Sequence, residues 1–351
     1  MTTIRRVSAV FGSATSAAAL ALALGAPAQG AAITGWRVVF SHHYGAPTNQ
    51  SLYSAVAATG AGDAWAFGVD NWVNPSSGRP VAEHWNGSAW RQSALPPGLH
   101  SSIYAASASS ANNVWAAPEF GGEILHWNGH TWSVAKKLAG PYALTDVKAF
   151  SPDDVWVFGG GGAFPGFGTW HFNGHTWAKV TGNDAGVSSV SAVSPTNMWG
   201  IGSIKNPDDA ILHYNGTTWR HVTAPVLSGF GPQMILAESA NDVWVTGTPY
   251  TDGRVWRLLH FDNGTWTSEP LPWPTTGLAW LAPDGRGGFW LEAYTHHGSW
   301  TWHRSASGQW SRTQVYPGVM ALIPGTTSLL GAGGTPAKPG YATIWAYGPF
   351  G

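Results

Sequence analysis

Residues 153–159 read DDVWVFG and residues 169–177 read TWHFNGHTW, and both runs return along the chain. The first recurs as GDAWAFG (62–68), NNVWAAP (112–118), TNMWGIG (196–202), NDVWVTG (241–247) and GGFWLEA (287–293). The second recurs as AEHWNGSAW (82–90), ILHWNGHTW (124–132), ILHYNGTTW (211–219), LLHFDNGTW (258–266) and, degraded, TWHRSASGQW (301–310). The intervals between the first tryptophans run from 41 residues (Trp115 to Trp156) to 50 (Trp65 to Trp115). A period of this length, punctuated by Gly and Pro, is that of a four-stranded propeller blade.

The fourth repeat shows the four strands. SSVSAV (188–193) is strand a, MWGIG (198–202) strand b, ILHY (211–214) strand c and TTWRHV (217–222) strand d. Asn215-Gly216 between c and d predicts a tight type I′ turn, since both residues tolerate positive φ. The Asp or Asn two residues before the strand-b tryptophan (Asp63, Asn113, Asp154, Asn197, Asp242) is expected to make an Asx turn at the a–b hairpin.

The chain ends set the blade count. Residues 319–347 supply only three strands, VMALIP, SLLGAG and ATIWAY. The missing fourth stands at the front, in Ile33-Thr34-Gly35-Trp36-Arg37-Val38-Val39. Six complete repeats and one split repeat predict an all-β, seven-bladed propeller of four-stranded blades. Blade seven is divided between 33–40 and 319–347, which removes an open sheet edge.

Composition narrows the function classes. The net charge is −1 and DEKR residues make up 10%, so there is no basic field for a phosphate backbone and nucleic acid is excluded as a partner. The absence of cysteine excludes disulfides, thiolate metal ligands and a cysteine nucleophile. Residues 1–28 read as a signal peptide, with Arg5-Arg6, the apolar run ATSAAALALALG (14–25) and Ala26-Pro27-Ala28 as the cleavage region. The expectation is a secreted monomer comprising a propeller domain over 29–351, without stable membrane insertion.

The order of features in Val155–Gly160 and His171–Trp177 resembles secreted bacterial propellers with kelch-type repeats, the repeat type of the galactose oxidase central domain. Most repeats here carry one glycine where kelch has two. The copper chemistry of that oxidase needs a cysteine cross-linked to a tyrosine and does not carry over.

His84, His126, His171, His213, His260 and His303 share one strand-c register. With strands about 4.8 Å apart, equivalent points on that ring lie roughly 14 Å from one another, while a metal holds its nitrogens at about 2 Å. No shared ion, and no cofactor, is expected. Each imidazole is read as a bridge between polar groups within the fold.

The off-pattern aromatics Trp72, Phe164, Phe167, Tyr250, Trp256, Tyr294, Trp300 and Tyr341 fall in or beside the b–c connections, which vary in length. In a propeller the b–c and d–a connections share one face, and variable loops on a rigid scaffold carry function. Trp72, Arg79, Arg254, Trp256 and Trp300 are the expected ligand contacts. Asp208-Asp209 and His296-His297 are weaker candidates, because neighbours on a strand point to opposite faces. No catalytic residue is assigned. The function expected is a binding module for carbohydrate or protein; the alternative is a glycan hydrolase or lyase with acid and base at the channel mouth.

Overall fold

A computed structural model describes residues 35–44, 50–72, 78–138, 143–160, 168–180, 186–204, 210–334 and 339–350. The expected signal peptide (1–28), Ile33-Thr34, Phe164, Phe167 and Asp208-Asp209 lie outside them.

The described strands form seven antiparallel four-stranded sheets, six of them running a-b-c-d in chain order. In the seventh, Trp36–His42 is the outermost strand beside Ala342–Tyr347, followed inward by Leu329–Gly333 and Val319–Leu322. Trp36 pairs with Tyr347, Val38 with Trp345 and His42 with Ala342, so the closing strand runs to His42. The Arg37 guanidinium donates to the carbonyl of Gly348 at 2.6 Å and to that of Phe350. The Phe350 ring then packs on Trp85 of blade one, 5.2 Å between centroids.

Strand b reads as a near-continuous apolar run because both of its faces are covered by neighbouring blades. In Asp63–Asp70 every residue after the first is buried. The core is therefore a ring of inter-blade layers. Trp65, Phe67 and Ala82 of blade one, for example, pack with Ile103, Val114, Leu125 and Trp132 of blade two. The only helix among the described residues is a 3₁₀ turn at Pro225–Leu227, and no helix there is long and apolar enough to cross a membrane.

The histidine ring is a repeated clamp. Trp65 and His84 are cross-strand partners with rings stacked 4.1 Å apart, and the same stack recurs from Trp115–His126 (4.2 Å) to Trp290–His303 (4.4 Å). Nε2 of His84 donates to Asp63 Oδ1 at 2.7 Å, that of His126 to Asn113 at 2.9 Å and that of His260 to Asp242 at 2.9 Å. Blade six has Gly288 at this position and draws its acceptor from Asp284, 2.8 Å from His303. The Asp and Asn side chains two residues before the strand-b tryptophan therefore hold imidazoles and do not make the expected Asx turns, whereas Asp284 of blade six does both, its Oδ1 accepting the N–H of Arg286 at 2.7 Å. The a–b turns are braced instead by Ser151, Ser194 and Ser239, whose hydroxyls accept the N–H two residues on.

The Asn-Gly turns also differ from expectation. Trp85 pairs with Trp90, so Asn86–Ala89 is a four-residue connection. Asn86 Oδ1 accepts the N–H groups of Ser88 and Ala89, and only Gly87 is left-handed, at φ 88°. In blade five Asp262 pairs with Thr265, leaving two residues between them. There Asn263 (φ 46°) and Gly264 (φ 94°) are both left-handed, as a type I′ turn requires.

Candidate functional site

Strand a of six blades carries a β-bulge at an equivalent point, with Ser54, Tyr104, Thr145, Ser188, Gln233 and Trp280 as the extra residues. All six line a channel-mouth cavity of about 390 Å³ to which every blade contributes. A bulge re-aims a side chain and breaks the pairing locally. Two of these residues staple neighbouring blades: Ser54 Oγ donates to Ile103 O at 2.7 Å and Thr145 Oγ1 to Val187 O at 2.7 Å. Trp280 sits at φ 30°, a left-handed conformation that costs a bulky residue on the order of 1–3 kcal/mol.

Among the described residues, the one carboxylate lining this mouth is that of Asp146. Its Oδ1 accepts from Val147 N and Lys148 Nζ, and its Oδ2 accepts from Val190 N. It is a brace between blades three and four. Tyr104 reaches the same mouth, and its hydroxyl pKa is raised by burial and by the nearby Glu119 and Asp146 carboxylates.

A second cavity, of about 410 Å³, lies at blade six. One wall is the d–a connection Trp273–Thr276, and another is the b–c turn Thr295–His297. That both connections line one cavity places them on a common face, as the propeller pattern required. The third wall is Trp300 with Arg312 from strand d. The Arg312 guanidinium carbon is 4.6 Å from the Trp273 ring centroid and 4.5 Å from that of Trp300, so the cation lies against two indoles. Among the described residues neither Asp nor Glu lines this cavity. His296 and His297 lie in the turn closed by the Thr295–Gly298 pairing, where neighbours are freed from strand alternation. Both line the same cavity.

The five expected contacts divide. Trp300 lines the blade-six cavity. Trp256 is half-buried beside it: its Nε1 donates to Thr276 O at 3.1 Å, and its ring packs on the core layer of blades five and six. Arg254 is exposed outside the cavity, in a turn where its N–H bonds Asp252. Trp72 and Arg79 are on blade one. Trp72 is half-buried, with its N–H on Gln50 O. Arg79 pairs with the buried Asp70 at 2.9 Å and lines a groove of about 460 Å³ with Pro96, Pro97 and Leu99.

Three features carried no usable signal in the sequence. Trp273 sits in a d–a connection, whereas the expected loop contacts lie between b and c. Arg312 stands in a strand-d position that other repeats fill with unlike residues, such as Gln92 and Val134. The third is a pair of buried acid–tyrosine clusters on either side of blade seven. Glu83 Oε1 accepts from Tyr44 at 2.5 Å, and the Tyr44 and Tyr53 hydroxyls are 2.8 Å apart. Glu292 Oε1 accepts from Gly318 N at 3.3 Å, near the Tyr294–Tyr316 hydroxyl pair at 3.0 Å. Burial raises the pKa of both carboxyls, Glu292 to about 8. Among the described residues no group of three or more His, Asp or Glu is arranged to hold a metal ion.

Together these features define a seven-bladed β-propeller with a cation–aromatic cavity on its b–c face. The chain matches no protein-family model. No curated protein matches its sequence. Solved structures share its fold. YCF48 bound to D1 peptide is 13% identical with a TM-score of 0.61, over 89% of this chain and 96% of that one. A catalytically inactive virginiamycin B lyase from Staphylococcus aureus with quinupristin is 10% identical with a TM-score of 0.63, over 89% and 99%. The Cps50 (Swd1) propeller domain of Myceliophteria thermophila is 11% identical with a TM-score of 0.57, again over 89% and 99%.

Proposed function

We propose that this chain is a secreted binding module that holds a carbohydrate in the blade-six cavity. The observation that carries the reading is the convergence of Trp273, Trp300 and Arg312 on one cavity of about 410 Å³. Ligand pockets commonly run from about 300 to 1,000 Å³, with aromatic walls and a few placed polar groups. Indole edges and faces suit the apolar side of a sugar ring, and Arg312, His296 and His297 supply polar contacts around it. The export reading rests on residues 1–28, and the kelch-type reading on the repeat order alone. A glycan-array screen of the purified protein, repeated with Trp300→Ala, tests the proposal. Binding that is lost in the variant supports it; an array without a hit refutes it.

A protein partner is the second reading. The specific observation in its favour is Tyr250 and Val255 of the blade-five b–c loop, 57% and 47% exposed on the same face. YCF48, whose structure holds a D1 peptide, is a propeller that takes a polypeptide. The enzyme alternative gains nothing from these cavities, since the channel-mouth carboxylate of Asp146 is occupied as a brace and no carboxylate among the described residues lines the blade-six cavity.

A further inference from the structure

We infer that the blade-six cavity selects an acidic carbohydrate, a uronic-acid sugar whose carboxylate is taken by Arg312. This deepens the reading above and rests on it. A guanidinium offers five N–H donors in one plane. With indoles at 4.6 and 4.5 Å from its carbon, Arg312 has aromatic rings against it and keeps its donor edge for a ligand. That edge has no internal acceptor: among the described residues Arg312 has no carboxylate partner, whereas Arg79 is tied to Asp70 and Lys137 to Glu123. Arg312 is exposed on strand d, yet the two indoles restrict its orientation, so less freedom remains to be lost on binding.

The charge of the cavity points the same way. Its only formally charged side chain among the described residues is Arg312, with His296 and His297 as the other titratable lining groups. The hydroxyls of Thr275 and Thr295 are committed within their own turns, Thr275 Oγ1 to Gly277 O or Tyr294 O and Thr295 Oγ1 to Gly298 O, while Thr276, which also lines the cavity, is exposed. A neutral sugar would meet an arginine fork with no anion to match it. A planar carboxylate accepts that fork with two parallel bonds. The tryptophans beside it then favour a pyranose as the carrier over an extended peptide end.

The test is calorimetric titration of the purified protein with three tetrasaccharides: galacturonate, its neutral galactose counterpart, and a sulfated galactose form. A short peptide with a free C-terminal carboxylate is the fourth ligand. The uronate is expected to bind about ten- to a hundred-fold more tightly than the neutral form, as a charge-assisted bidentate contact implies. Arg312→Gln should remove that preference, and Arg312→Lys should recover it only in part. Arg304→Gln, which removes a comparable stack on Trp244 (4.5 Å), controls for lost cation–π packing and should bind normally. Equal binding of uronate and neutral sugar, abolished by Trp300→Ala, overturns the acidic selectivity while the carbohydrate reading stands. Preference for the sulfated form overturns the uronate assignment. No binding of any sugar, or tighter binding of the peptide, overturns both.

Discussion

The carboxylate of Glu292, in strand b of blade six, accepts the backbone N–H of Gly318 at 3.3 Å, where the chain enters blade seven. Its other oxygen is buried without a hydrogen-bond partner. An ionised carboxylate there would be costly, so the acid is held neutral, its pKa raised by burial to about 8 from an ordinary 4.5.

The sign of the pH effect follows. The folded state binds the proton more tightly than the unfolded chain, so this stabilisation is complete below about pH 4.5 and lost as pH rises through about 8. The loss is on the order of a few kcal/mol. Glu238, raised to about 7, and Glu83, also raised, act in the same direction. Melting temperatures taken from pH 5 to 9 should therefore fall, and Glu292→Gln should flatten the profile. An unaltered slope in the variant would remove Glu292 from the account.

Closure of the ring gives a second prediction. Arg37 holds the carbonyls of Gly348 and Phe350, and Phe350 fills the layer beside Trp85. Phe350→Ala should cost about 3–5 kcal/mol, as a buried ring removed from a core does. Deleting residues 29–40 should do more, exposing the edge of Ala342–Tyr347 and lowering solubility. Denaturant melts and sedimentation measure both, and a deletion variant as stable and monodisperse as the parent would contradict the closure argument.

The histidine clamps give a third. His126 donates to Asn113, and burial lowers its pKa. His126→Ala should cost about 1–3 kcal/mol, because the buried Asn113 acceptor loses a partner. Adding or chelating metal should leave that loss unchanged. Asn113→Asp should raise the His126 pKa by placing a carboxylate against the ring. An NMR titration of the imidazole protons would read the shift, and a fall would refute the clamp electrostatics.

These clamps mark how far the sequence was legible. Two periodic runs yielded the blade count, the split blade and the structural role of six histidines, because each is repeated local chemistry. The acceptor of five of the six clamps is named in the repeat too, but its pairing depends on the cross-strand partnership of Trp65 with His84 and its equivalents, which spacing alone leaves open. The same limit hid the four-residue Asn86 turn, since its length is fixed by the Trp85–Trp90 register. The bulge ring was illegible because Ser54, Tyr104, Gln233 and Trp280 share no residue type. Arg312 and Trp273 meet only after two connections and a strand fold onto one another.

The last prediction separates the five contacts expected from sequence. Trp300 lines the blade-six cavity and stacks on Arg312, while Trp72 lies on blade one and Arg254 outside the cavity. Once a ligand is in hand, Trp300→Ala and Trp273→Ala should weaken binding tenfold or more, since an aromatic wall that contacts ligand dominates such sites. Trp72→Ala and Arg254→Ala should leave affinity within about twofold. Trp256→Ala is the intermediate case. Its indole supports Thr276 through a 3.1 Å bond and packs on the core layer, so it should lower stability by about 1–3 kcal/mol and affinity by less than Trp300→Ala. Titration and thermal melts on the same five variants distinguish these patterns. Binding lost in Trp72→Ala and kept in Trp300→Ala would move the site to blade one, beside Arg79 and its groove.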